Sequence, residues 1–120
     1  LMWCTNTLQV TLIAYFYPER WVQPGNAEGA AEVRAVAQAK IDGLVDQLEG
    51  LVARNGGPWV LGREFSALDA YVFTLCRWTR NFQGAKARDR RTLGPYLQRV
   101  SERPSVQRVF AAEKLSAPFF

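Results

Sequence analysis

The strongest pattern in the sequence is a helical one between residues 27 and 55. Apolar side chains recur there at i, i+3, i+4 and i+7, and most charged residues take the opposite face. The pattern stops at Asn55-Gly56-Gly57-Pro58, where residues that tolerate the left-handed conformation precede a proline. We therefore expect one long amphipathic helix, whose apolar side is formed by Val33, Val36, Ala37, Ile41, Leu44, Val45, Leu48, Leu51 and Val52.

Residues 2–17 carry a weaker helical pattern. Leu8, Leu12 and Tyr15 lie three and four residues apart, although several β-branched neighbours lower the helix propensity of the segment. Pro18 ends it, and Pro24-Gly25 marks the linker that follows. We expect a first helix here. Because Leu1 already lies inside the pattern, we also expect that a preceding part of the protein has been removed.

Ser66 and Asp69 mark the start of a third helix. The Ser66 side chain can accept a hydrogen bond from the Asp69 amide, while the Asp69 carboxylate accepts one from the Ser66 amide. We expect loss of this carboxylate to destabilise the domain by about 1 to 2 kcal/mol. The helix is predicted to end near Gly84. Residues 85–91 are predicted to form an exposed loop too polar to pack, since they hold Lys86, Arg88, Arg90 and Arg91 around Asp89.

Two shorter helices are predicted in the last quarter of the chain. The first covers residues 95–102, and the second covers residues 104–113 with Pro104 at its first position, where proline is favoured. The tail, residues 115–120, is apolar enough to fold back on another part of the molecule. No segment predicts a strand. The expected fold class is all-α, a bundle of about five helices that forms one domain over residues 1–120.

Composition limits the chemistry that the chain can perform. A length of 120 residues with 48% apolar side chains suffices for one ordinary core. No apolar run approaches the roughly 20 residues that span a bilayer, and no secretory signal is present, so we expect a cytoplasmic protein. Histidine is absent, which excludes His-dependent catalysis and metal ligation by histidine within the chain. Cys4 and Cys76 lie within apolar helical patterns and are expected to be buried, reduced thiols.

The net charge of +4 is unevenly spread. Residues 1–60 hold four basic and six acidic side chains, and residues 61–120 hold 11 basic and five acidic ones. A basic half can mark a nucleic-acid surface or an anionic ligand. No aromatic residue alternates with the basic residues between Lys86 and Arg91, as it does in proteins that bind single strands. We therefore favour a solvated loop and helix ends, and we expect no nucleic-acid partner.

The segment from Gly62 to Ala70 resembles the N-capping box and hydrophobic staple of glutathione transferases. That motif reads Gly, two variable residues, an apolar residue, Ser or Thr, two variable residues, Asp and an apolar residue, and every position agrees. Its surroundings are also similar to the family, with Trp59-Val60-Leu61-Gly62 before the motif and Arg103-Pro104 after it. The resemblance covers nearly the whole chain but only the second, helical domain of the family.

The resemblance implies that Ser66 and Asp69 serve folding and not chemistry. It places glutathione, together with the residue that stabilises its thiolate, in an N-terminal thioredoxin-like domain that we expect to be absent from this chain. No catalytic residue and no bound cofactor are expected here, and no metal. The helical domain would contribute a wall of the apolar co-substrate pocket. The candidates are Trp3, Thr7, Val10 and Thr11 on one stripe of the first helix, with Phe119 and Phe120 as a lid. The alternative interpretation is that the stripe is ordinary core or a subunit interface and that the two phenylalanines are disordered.

Two functions follow from the resemblance. In the first, the chain shapes electrophile specificity in a glutathione transferase that forms a homodimer, with glutathione as co-substrate, and the chain alone is inactive. In the second, it is a non-catalytic interaction module of the kind found in translation factors and synthetase complexes, because one fold hosts several functions.

Overall fold

The computed structural model describes residues 1–120 and contains five α-helices and no β-strand. The helices are α1 (Val10–Phe16), α2 (Ala27–Asn55), α3 (Ala67–Arg77), α4 (Leu93–Ser101) and α5 (Pro104–Ala112). A π-helical segment, Cys4–Gln9, leads into α1, and short 3-10 turns cover Pro18–Trp21 and Ala87–Asp89. The all-α prediction is confirmed. None of the helices combines the length and the apolar character that a membrane span requires.

The chain folds as two compact units, Leu1–Leu44 and Val45–Phe120. The first unit differs from expectation in its opening segment, which is π-helical where an α-helix was predicted. Threonine hydroxyls bond to the backbone one turn back, from Thr5 to Leu1 at 3.4 Å and from Thr11 to Thr7 at 2.7 Å. Such bonds compete with the regular helical ladder. Pro18 lies directly beyond α1, as predicted.

In the first unit, α2 begins at a cap that the apolar pattern did not reveal. The side-chain oxygen of Asn26 accepts a hydrogen bond from the Gly29 amide at 2.9 Å, which satisfies one amide of the first helical turn. Arg34 donates through Nε to the Tyr15 carbonyl, near the end of α1, at 3.1 Å. The last turn of α1 is therefore tied to α2 by a hydrogen bond to one of its terminal carbonyls.

The second unit is built around α4. Leu93, Tyr96, Leu97 and Val100 repeat at i, i+3, i+4 and i+7, and each is 0% exposed. α4 lies against both α3 and α5, so its apolar face meets two neighbours. Burying four such side chains supplies several kcal/mol of hydrophobic stabilisation. The rest of this core comprises Val45, Leu48, Val52, Val60, Val72, Phe73, Leu75, Cys76, Phe82, Ala87 and Phe110.

A tight turn precedes α3. Trp59 and Gly62 exchange two backbone hydrogen bonds of 3.0 Å, and Gly62 has φ of 116°. That backbone conformation strains any residue with a Cβ, so glycine is required at this position. A side chain at Gly57 would also overlap the backbone of Gly62. The first glycine of the sequence motif is therefore fixed by the geometry of this turn.

The prediction that α3 extends to near Gly84 is wrong, because the helix ends at Arg77. The reason is Thr79, which is only 2% exposed. Its hydroxyl donates to the Cys76 carbonyl at 2.7 Å and accepts from the Ala87 amide at 2.9 Å. The chain turns after Arg77, and the Thr79 hydroxyl connects the end of α3 to the segment that begins at Ala87.

The prediction of an exposed loop over residues 85–91 is also wrong. Ala87 is 0% exposed, and it begins a 3-10 turn that the Thr79 hydroxyl holds in place. Arg90 forms an ion pair with Asp46 of α2 at 3.0 Å, while Arg88 donates to the backbone oxygen of Phe120 at 2.9 Å. Long basic side chains can pack through their aliphatic parts while their charged ends form ion pairs or hydrogen bonds. Local composition does not show where those partners lie.

Candidate functional site

The first unit contains an open groove with a cavity volume of about 500 Å³. It lies between α1, the 3-10 turn that follows α1, and the part of α2 that belongs to the same unit. Its size falls within the range of about 300 to 1,000 Å³ that is usual for small-molecule sites. The lining consists of Val10, Thr11, Ala14, Trp21, Val22, Gly29, Glu32, Val33, Val36, Ala37 and Lys40.

Apolar side chains that face the groove remain accessible to solvent. Val36 is 65% exposed, Trp21 50% and Val10 47%. These three apolar side chains therefore present accessible surface to the groove. A ligand that covered them would gain the free energy of removing apolar surface from water.

The polar content of the groove is small. Thr11 commits its hydroxyl proton to the Thr7 carbonyl at 2.7 Å, which leaves mainly its methyl group for a ligand. Glu32 and Lys40 carry opposite charges and are both exposed. These two are the only ionisable side chains in the lining, so the groove offers mainly shape and apolar surface.

The structure separates the six residues that the sequence proposed for an apolar pocket. Val10 and Thr11 line the groove of the first unit. Trp3 and Thr7 are half-buried on the preceding π-helical segment and do not line it. Phe119 and Phe120 lie in the second unit, so they are described with that unit.

The two terminal phenylalanines join an aromatic cluster in the second unit. Phe119 stacks on Phe110 with ring centroids 4.4 Å apart, and Phe120 meets Phe73 edge to face at 5.8 Å. Arg77 also donates to the Phe119 carbonyl at 2.6 Å. The tail does fold back on the molecule, and its contacts are those of ordinary packing. A lid function for these side chains stays a prediction.

The carboxylate of Asp69 is 0% exposed and accepts hydrogen bonds from several groups of the second unit. One carboxylate oxygen accepts from the Ser66 amide at 2.9 Å. The other accepts from the Val60 amide and from the Tyr96 hydroxyl, both at 2.8 Å. The Ser66 hydroxyl accepts from the Leu68 amide at 3.3 Å, so the side chains of Ser66 and Asp69 both bond to backbone amides at the start of α3. The carboxylate thus connects the turn before α3, the start of α3, and α4.

Sequence reasoning missed Tyr96 and Glu49. Tyr96 is the one polar-tipped residue in the apolar stripe of α4, and a buried tyrosine hydroxyl needs a partner, which was the available signal. Glu49 of α2 accepts from the amides of Thr92 and Leu93 at 2.7 and 2.8 Å. It therefore caps α4, which begins two residues earlier than predicted. No local pattern links residues so far apart in sequence.

The pKa of Glu49 reflects this cap. Burial raises the pKa, but the hydrogen bonds from Leu93 and Thr92, with the nearby charge of Arg90, outweigh burial and leave it below its ordinary value. A carboxylate at a helix N-terminus is also favoured by the helix dipole. In the first unit, burial raises the pKa of the Cys4 thiol, which opposes formation of the nucleophilic thiolate. Cys4 and Cys76 are both buried and form no disulfide.

A match to a protein family decides the assignment. The family model described as the glutathione S-transferase C-terminal domain matches residues 30–112. This chain belongs to that family. The glutathione S-transferase resemblance noted at Gly62 to Ala70 is therefore confirmed, and so is the all-helical fold that it implies.

One curated relative extends the comparison. The glutathione S-transferase GstA of Escherichia coli O157:H7 is 36% identical over 61 residues, which are 48% of this chain and 28% of the relative. The alignment thus spans less than a third of that transferase. No solved structure matches the chain.

The pocket candidates all lie outside the residues that the glutathione S-transferase family model covers. Trp3, Thr7, Val10 and Thr11 precede residue 30, while Phe119 and Phe120 follow residue 112. The family match therefore carries no information on these positions. Val10 and Thr11 line the groove, and their role in a co-substrate pocket stays a prediction.

Proposed function

We propose that this chain is the helical domain of a glutathione transferase and forms a wall of the pocket for the apolar co-substrate. The observation that carries the proposal is the groove of about 500 Å³ beside Val10 and Thr11, in a chain of the glutathione S-transferase C-terminal domain family. An apolar electrophile would bind there through desolvation.

The chemistry of conjugation would come from outside this chain. In this proposal an N-terminal thioredoxin-like domain binds glutathione and stabilises its thiolate, which then attacks the electrophile. The groove supplies orientation and excludes water, and its exposed valines and Trp21 supply the binding energy. The chain alone would accordingly be inactive. Such a protein would work as a cytoplasmic homodimer.

Ser66 and Asp69 have a folding role in this proposal. Their reciprocal bonds fix the first turn of α3, and the two further bonds of Asp69 position that turn against α4. We propose that this arrangement is the capping box of the family, with no part in the reaction.

The test uses the protein encoded by the complete open reading frame that contains this chain. Val10→Trp would place a large ring in the groove, and Leu61→Trp is the matched control, since Leu61 is 69% exposed and lies in the other unit. With chlorodinitrobenzene as electrophile, Val10→Trp should raise KM for this substrate by about fivefold and leave KM for glutathione unchanged. The control should change neither.

Three results would count against the proposal. If the complete protein failed to conjugate glutathione, the interaction module would be favoured. If Val10→Trp and Leu61→Trp changed KM for the electrophile equally, the groove would not be part of the pocket. Retention of the isolated 120-residue chain on immobilised glutathione would place the glutathione site in this chain.

A further inference from the structure

A second cavity, of about 350 Å³, lies within the second unit and is independent of the proposed function. It is bordered by α3, α5, part of α4 and the start of the tail. Most of its lining is apolar, and it includes Phe73, Val106, Val109, Phe110 and Leu115. Only three polar side chains reach it, those of Thr74, Arg77 and Ser105.

Arg77 makes this cavity positively charged. No acidic residue lines it, so the guanidinium is its only charged group. Arg77 donates through one nitrogen to the Phe119 carbonyl at 2.6 Å and has no acidic partner. Its neighbour Arg80 donates to the Arg77 carbonyl at 3.1 Å, so a second positive charge lies close by.

The surroundings of Arg77 favour a negative ligand. Desolvation lowers the pKa of Arg77, and repulsion from Arg80 lowers it further. An anion that bound beside the guanidinium would offset the repulsion from Arg80, and the nitrogens that do not bond Phe119 present further donors in a planar fork suited to a carboxylate. The adjacent apolar lining would take an uncharged ring or short chain, not a second charge.

We propose that this cavity binds a small aromatic monocarboxylate, with the carboxylate on Arg77 and the ring against Val106, Val109 and Phe110. The occupant follows from charge complementarity and from size, because about 350 Å³ accommodates a single ring with a short acidic side chain. The lining of this cavity shares no residue with that of the groove beside Val10.

The experiment is a titration of the 120-residue chain with phenylacetate, followed by amide and methyl chemical shifts. The largest shifts should fall on Val106, Val109 and Ala70. Phenylacetamide, which has the same shape without the charge, should bind about tenfold more weakly, as expected for loss of a hydrogen bond between charged groups.

Two variants and one control make the test specific. Arg77→Met should weaken phenylacetate binding about tenfold, and Arg80→Met, which removes the same charge outside the cavity, should weaken it less than threefold. Since Arg77→Met also loses the bond to Phe119, a second variant leaves Arg77 in place. Val109→Trp fills the cavity from a position that is 55% exposed and should abolish binding.

Several outcomes would overturn the proposal. Equal losses in Arg77→Met and Arg80→Met would mean general attraction of an anion to a basic surface. Equal affinity for phenylacetate and phenylacetamide would remove Arg77 from recognition. Shifts centred on Val10 and Val36, or no saturable shifts at millimolar phenylacetate, would exclude the cavity as the binding site.

Discussion

Replacing Asp69 with alanine should destabilise the second unit well beyond the loss of a helix cap. The carboxylate accepts hydrogen bonds of 2.8 to 2.9 Å from the Val60 amide, the Ser66 amide and the Tyr96 hydroxyl. Alanine leaves all three donors without this acceptor. Water cannot replace it easily, because Val60 is 7% exposed and Tyr96 is 0% exposed.

The magnitude follows from counting those donors. A buried donor without a partner costs about 1 to 3 kcal/mol, and the half-buried Ser66 amide costs less because water reaches it. Part of the loss is offset because the carboxylate no longer has to be desolvated. We expect Asp69→Ala to lower the free energy of unfolding by about 4 kcal/mol, compared with the 1 to 2 kcal/mol expected for a cap alone.

The assay is urea unfolding followed by circular dichroism, with two matched variants. Ser66→Ala removes only the side-chain half of the cap and should cost about 1 kcal/mol. Tyr96→Phe removes one donor and leaves the cap intact, so it should cost about 1.5 to 2 kcal/mol. The slope of free energy against urea should be unchanged in both, as expected when native and denatured states keep their compactness.

A small effect would refute this reasoning. If Asp69→Ala costs no more than Ser66→Ala, the carboxylate acts only as a helix cap and its other two bonds contribute nothing. If Tyr96→Phe leaves the urea midpoint unchanged, the bond between α4 and the carboxylate is not a source of stability.

Three further predictions concern separate features. Glu49 has a lowered pKa in the folded chain, so its stabilising contribution is present above the unfolded pKa of about 4.5 and is lost as the pH falls through the folded pKa. Glu49→Gln should therefore unfold at a lower urea concentration than the parent chain at pH 7, and the difference between the two midpoints should disappear on acidification. A difference that did not change with pH would contradict the cap. In a Cys76→Ala variant, the Cys4 thiol should react with Ellman's reagent much more slowly than free cysteine at pH 8 and reach that rate in urea, because burial raises its pKa; fast reaction of this folded variant would show that Cys4 is accessible. Phe119→Ala should lower the unfolding free energy by about 1 kcal/mol through loss of its stacking on Phe110, measured in the same urea experiment, and no change would mean that the tail is not held in solution.

Features set by neighbouring residues were predictable from sequence. α2 ends at Asn55 as the Asn-Gly-Gly-Pro run indicated, and Gly56 has φ of 65°, the left-handed conformation that such an end requires. The start of α3 after Ser66 follows equally from local side-chain bonds. In these cases the physical cause lies within a few positions of the residue concerned.

Features set by distant residues were not predictable. α3 stops at Arg77 because Thr79 binds the amide of Ala87, and the basic segment packs because Asp46 pairs with Arg90. The lining of the groove could be predicted only in part. Val10 and Thr11 belong to the stripe proposed on the first helix, whereas Trp21 lies on the 3-10 turn that begins at Pro18. No periodic pattern in the sequence indicates the direction of that turn. Partners separated by many residues leave no trace in local spacing.

Three of the hydrogen bonds to Asp69 should also form in a definite order during folding. Those to Ser66 and Val60 join residues three and nine positions apart, whereas the bond to Tyr96 spans 27 positions. Closing the longer loop costs more chain entropy, so the carboxylate should gather its near partners first and Tyr96 only when α4 docks. In refolding kinetics, Ser66→Ala should therefore slow folding, while Tyr96→Phe should mainly speed unfolding. The Asp69 side chain would thus stabilise the turn before α3 early in folding and hold α4 in place at a later step.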